Sequence, residues 1–82
     1  MDSNILIKQA QKGLELIENA IVELLRNNPE LSNTDIAKKL NLRSSHEGKQ
    51  RDYLTYSILG GLMVKGVVYK DKSGGKPNYR LK

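Results

Sequence analysis

Residues 59–68, LGGLMVKGVV, change character partway along. Through Lys65 the apolar residues keep helical spacing. Gly66 is the residue type that ends a helix in a left-handed turn, and the β-branched Val67 and Val68 open a strand. The rest of the chain holds two short predicted strands, 67–70 and 78–81, around the glycine-containing loop KSGGK (72–76). That arrangement is a hairpin. Val68, Tyr79 and Leu81 are expected to point inward, with Lys70, Arg80 and Lys82 pointing out.

Working back from Gly66, a third helix is predicted to begin between positions 45 and 49. Ser44 and Glu47 there have the S-x-x-E spacing of a capping box, while Gly48 opposes an early start. At about 100° per residue, with Leu54, Ile58, Leu59 and Leu62 inward, Lys49, Tyr53, Tyr56 and Gly60 point outward and His46, Gln50 and Ser57 flank them. Gly60 and Gly61 weaken the helix, which a close helix crossing or an approaching partner backbone would offset. Arg51 falls near the apolar stripe and is expected to pair with Glu47 or Asp35. Glu47 and Asp52 are read as capping residues that also pair with Lys49, Arg51 or Arg43.

Further upstream, LSNTDIAKKLNL (31–42) reads as a short helix. Ser32 caps it, Asp35 lies near the positive end of its dipole, and Ile36, Ala37 and Leu40 face inward. Asn41 is the expected stop, with Leu42 packed beneath the turn. Before it, NNPE (27–30) closes a long helical segment, because Pro29 disfavours helical geometry at Asn28 and has no N–H to donate. Within that segment Leu6, Ala10, Gly13, Ile17, Ala20 and Leu24 form a heptad-like seam, widened by Leu14, Ile21 and Leu25. Gly13 costs about 1 kcal/mol relative to alanine. The segment is one long helix or a short one followed by a longer one, and a bend or break near Gly13 is the expectation. Residues 1–13 are accordingly read as a helical extension and 14–82 as the domain.

Eighty-two residues without cysteine form one small domain with no disulfide framework or thiolate metal site. No run of apolar residues is long enough to span a membrane, and no secretory signal is evident, so a cytoplasmic location is the default. The net charge of +5 is uneven. Residues 1–40 carry five basic and six acidic side chains, net −1, whereas residues 41–82 carry nine and three, net +6. An excess of that kind points to a polyanion, and in the cytoplasm to nucleic acid.

The order helix, short helix, helix, hairpin resembles the winged helix-turn-helix family over residues 14–82. Three segments carry the resemblance: LSNTDIAKKLNL, LGGLMVKGVV and the returning strand PNYRLK (77–82). It implies an α+β, mostly α, fold with a three-helix core and a C-terminal two-stranded wing. It further implies a third helix, residues 45–64, that enters the major groove of duplex DNA, and a wing, 67–82, that touches the flanking backbone. The connection NLRSSHEGKQ (41–50) is longer than the family's minimal turn. More faintly, EGKQRDYLTYSILGGLMVKG (47–66) is similar to winged-helix segments attached to bacterial restriction endonucleases, so a regulator and a recognition module of a larger enzyme are both expected roles.

On this reading Lys49, Gln50, Tyr53, Tyr56 and Ser57 lie in or beside the groove, with Arg43, Ser45 and His46 near phosphate. Lys70, Lys72, Lys76 and Arg80 neutralise the flanking backbone, and Gly74 and Gly75 let the tip approach closely. No catalysis, metal, cofactor or small-molecule ligand is expected. His46 is the single histidine, no carboxylate cluster accompanies it, and the E-x-K match at 47–49 arises about 0.6 times by chance in this composition. The rival reading is a protein-interaction or dimerisation module, which the seam from Leu6 to Leu24 would serve by pairing with a second copy. Binding of single strands or RNA through the tyrosines is a third.

Overall fold

The computed structural model describes residues 3–43 and 52–82. Its order is α1 (Ser3–Asn27), α2 (Asn33–Lys39), α3 (Tyr53–Val64), β1 (Val68–Asp71) and β2 (Asn78–Leu81). The chain is thus a small, mostly helical α+β domain of three helices and one two-stranded antiparallel sheet. Among the described residues no helix is long and apolar enough to cross a membrane.

α1 runs unbroken through Gly13, so the expected break is absent. Glycine weakens a helix but keeps its N–H and so removes no hydrogen bond; proline removes one. The helix therefore stops at Pro29 instead. Side-chain amides close its last turn, Asn27 donating to Glu23 O at 3.1 Å and Asn28 to Leu24 O at 3.1 Å. Ile21 and Leu25 are buried, and Ile17 and Leu24 pack at the core's edge. Residues 3–16 project beyond that core and are exposed, apart from half-buried Gly13.

α2 and α3 end in the same way. After α2, Asn41 takes φ 55°, its N–H donating to Lys38 O at 3.2 Å while Leu42 N–H donates to Ala37 O at 2.8 Å. After α3, Gly66 takes φ 77°, with Gly66 N–H on Met63 O and Val67 N–H on Leu62 O, both at 3.0 Å. Each is the paired 5→2 and 6→1 closure that satisfies the last carbonyls of a helix. Both stops are the ones the sequence predicts. At its start α2 is capped by Ser32, whose hydroxyl accepts from Asp35 N–H at 3.1 Å.

Ile21 and Leu25 of α1, Ile36 and Ala37 of α2, Ile58, Leu59 and Leu62 of α3, and Val68 and Tyr79 of the hairpin make the core. Burying a leucine- or isoleucine-sized side chain stabilises by roughly 1.5–3 kcal/mol, so these positions carry the fold. Leu31 joins them and forms an isolated antiparallel bridge to β2, Tyr79 N–H donating to Leu31 O at 2.7 Å. It pins the segment before α2 to the hairpin.

Two expectations for α3 need correcting. Leu54 is 50% exposed, and Thr55 is fully buried in its place. Gly60 and Gly61 serve no close helix crossing among the described residues, since a Cβ at either would meet nothing within 4 Å.

Candidate nucleic-acid interface

α3 presents Tyr53, Tyr56 and Ser57 to solvent, with the two tyrosines 65% and 51% exposed. Three residues apart on a helix, they stand side by side, ring centroids 6.3 Å apart and planes inclined by 36°. β1 then brings Lys70 over the same face. Its Nζ lies 5.5 Å from the Tyr56 ring centroid and 5.6 Å from that of buried Tyr79. Ring faces attract a cation without cancelling its charge. Lys70 was expected to point outward, but the register pairs it with Tyr79, and it shares the inward face of the hairpin with Val68 and Leu81.

Between the start of α2, the outward face of α3 and the hairpin runs a groove of about 800 Å³. Ser32, Asn33 and Thr34 line one wall and Tyr56, Lys70 and Tyr79 the other, with Lys38 and Lys76 at its sides. Among the described residues Asp35 is the one acidic residue of the lining. Among the described residues no ion pair involves Lys38, Lys70, Lys72 or Lys76. Lys72 stands exposed at the loop, outside the groove lining.

The two arginines assigned to phosphate are engaged elsewhere. Arg43 Nε donates to Asp52 Oδ1 at 2.9 Å, and both side chains are largely buried. Asp52 also accepts from the Thr34 hydroxyl at 3.2 Å, and its backbone carbonyl accepts from Asn33 Nδ2 at 3.2 Å. Asp52 thus pairs with Arg43, one of its expected partners, but its carboxylate does not cap α3. It ties α2, the segment after α2 and the start of α3 together.

Arg80 lies on the opposite face of the hairpin from the groove, beside Tyr69 in register. Its Nη2 is 3.2 Å from Glu30 Oε2, and its Nε is 3.1 Å from Asp71 Oδ2, an ion pair outside hydrogen-bonding geometry. Glu30 chiefly, then Tyr69 and Asp71, raise the pKa of Arg80 against the opposing effect of desolvation. Hydrogen bonds from the Ser73 hydroxyl and from its N–H, at 2.9 Å, together with Arg80, hold the Asp71 carboxyl below its ordinary value.

Ser45, His46, Lys49, Gln50 and Arg51, with the predicted start of the third helix and the capping role of Glu47, lie outside the described residues. Lys38, Asn33 and Thr34 are groove residues that the sequence reading did not single out. The signal was there for Lys38, since turning Ile36, Ala37 and Leu40 inward leaves it on the outer side of α2. Only the fold reveals that this side borders the third helix and hairpin. Among the described residues no cluster of three or more His, Cys, Asp or Glu side chains could hold a metal ion. No family model matches the sequence, and comparison with curated proteins and with solved structures gave no match.

Proposed function

We propose that this chain is a winged helix-turn-helix domain that binds duplex DNA in the cytoplasm. It acts as a regulator or as the recognition module of a larger DNA-acting enzyme such as a restriction endonuclease, without chemistry of its own. α3 is the recognition helix and β1–β2 the wing, and the bridge from Leu31 to β2 ties the segment before α2 to that wing. The observation that carries the reading is the groove at which Tyr56, with exposed Tyr53 beside it on α3, meets Lys70, Lys76 and Lys38. Exposed tyrosines, and lysines without an ion pair among the described residues, are groups that hold phosphates and base edges. Lys72 at the loop joins them on the flanking backbone, and Ser45, His46, Lys49 and Gln50 complete the proposed contact set. Arg43 and Arg80 are assigned to holding the fold.

The test is fluorescence anisotropy with a labelled random duplex. If about four lysines each neutralise a phosphate, log affinity falls with log salt at a slope near −3.6, and a fourfold rise in salt weakens binding on the order of 100-fold. Absence of duplex binding at low salt, affinity indifferent to salt, or preference for a single strand of the same length would each overturn it.

A further inference from the structure

The apolar face of α1 continues outward for about four turns past the point where the domain's own core ends. Leu6, Ile7, Leu14 and Leu16 lie on that projecting part and are exposed, with Ala10 and Gly13 between them. At about 100° per residue these positions fill about half the helix circumference, interrupted by Ser3 and Gln9, while Lys8, Lys12 and Glu15 lie on the other half. No described residue covers the stripe, and a Cβ at Gly13 would meet nothing within 4 Å.

We infer that this face is a dimer interface, occupied by the same face of a second copy running antiparallel. Two copies of the patch together bury on the order of 1,000 Å², which reaches the lower end of specific interfaces, and one copy left bare, roughly 500 Å², matches the largest apolar patch of a typical monomer, a patch that is often functional. A two-fold contact needs only one self-complementary patch. The order of side-chain sizes supplies the complementarity. With the helices antiparallel and centred between Gln11 and Lys12, Ala10 meets Gly13 of the second copy and Leu6 meets Ile17, each contact occurring twice. Small side chains at the centre let the two backbones approach, and large ones close both ends. Antiparallel alignment also sets residues 3–10, which carry Lys8 (net +1), alongside residues 13–20 of the second copy, which carry Glu15 and Glu18 (net −2), so that Lys8 meets Glu15. A parallel pair would stack like on like.

This inference does not rest on DNA binding, and its test omits DNA. In sedimentation equilibrium the chain is expected to be mainly dimeric at roughly 100 μM and to dissociate towards roughly 1 μM, as a small interface implies. Ala10→Glu puts a charge at the centre of the seam at a position already exposed in the monomer, and should weaken the dimer at least tenfold with helix content unchanged by circular dichroism. Orientation is read by cross-linking, since the chain has no cysteine of its own. An equimolar mixture of Ala10→Cys and Gly13→Cys chains, oxidised in air, should give mostly the mixed disulfide. A monomer up to roughly 1 mM, or a dimer that Ala10→Glu leaves intact, would overturn the interface. Predominant cross-linking of Ala10→Cys chains to each other would overturn the antiparallel register.

Discussion

On one face of the hairpin Lys70 stands beside Tyr79 in register, and on the other Arg80 stands beside Tyr69, so each face sets a cation next to an aromatic ring. The surroundings then diverge. Lys70 has the rings of Tyr56 and Tyr79 within reach and no carboxylate partner among the described residues, whereas Arg80 sits between Glu30 and Asp71. A ring face holds a cation and leaves its full charge to an incoming anion; two carboxylates leave the same site net negative. Charge counted along the sequence therefore overstates what the C-terminal half can offer a polyanion. Of its described cations, Arg43, Lys65 and Arg80 are paired, with Asp52, Glu18, and Glu30 plus Asp71 respectively. Lys70, Lys72, Lys76 and Lys82 are not among the ion pairs, and the first three cluster at the groove and loop.

The largest effect comes from removing the inner face itself. Tyr79 is 2% exposed, carries the bridge to Leu31 through its backbone and supports Lys70 with its ring. Tyr79→Ala should cost about 3–5 kcal/mol, most of the stability of a domain this small. Tyr79→Phe keeps the ring and should cost far less. Urea denaturation of both variants distinguishes a ring that holds the fold from one whose hydroxyl matters.

The next effect separates the two cations. Lys70→Ala should reduce the salt slope of duplex binding by about one and weaken binding at every sequence alike. Arg80→Ala should leave that slope unchanged and lower stability only slightly, as half-exposed ion pairs do. Equal effects of the two substitutions on the slope would remove the distinction between the faces.

Why sequence reading found some of this and missed the rest is visible in α3. Its end was legible because Gly66 is a local signal; the short α2 was likewise bounded by Ser32 and Asn41. The phase of α3 was misjudged by weighting hydrophobicity over angle. Taking Ile58, Leu59 and Leu62 as the stripe, its centre lies about 13° from Thr55 and about 87° from Leu54 at 100° per residue. Thr55 is the buried one. The groove was less accessible still, because the neighbours Lys38, Tyr56 and Lys70 come from three elements and no periodicity joins them. Partner choice by Arg43 and Arg80 had the same difficulty. Glu30 lies 50 positions before Arg80, and only the Leu31 bridge explains why they meet.

The smallest predicted effect asks what holds the outer face. Asp71 is kept below its ordinary value of 3.8 first by the Ser73 hydroxyl, then by the Ser73 N–H, with Arg80 further down the order. A depressed carboxyl contributes stability that is fully present above the unfolded value and is lost as pH falls through the lowered folded value. The hairpin loop should therefore loosen only in that acid window, read by NMR from the Ser73 amide shift between about pH 6 and about pH 2. Ser73→Ala should move the midpoint upward more than Arg80→Ala does. The opposite order would mean that the outer face is organised by the Arg80 charge and not by the turn, and that Arg80 is held by Glu30 and Asp71 more evenly than the dominance of Glu30 implies.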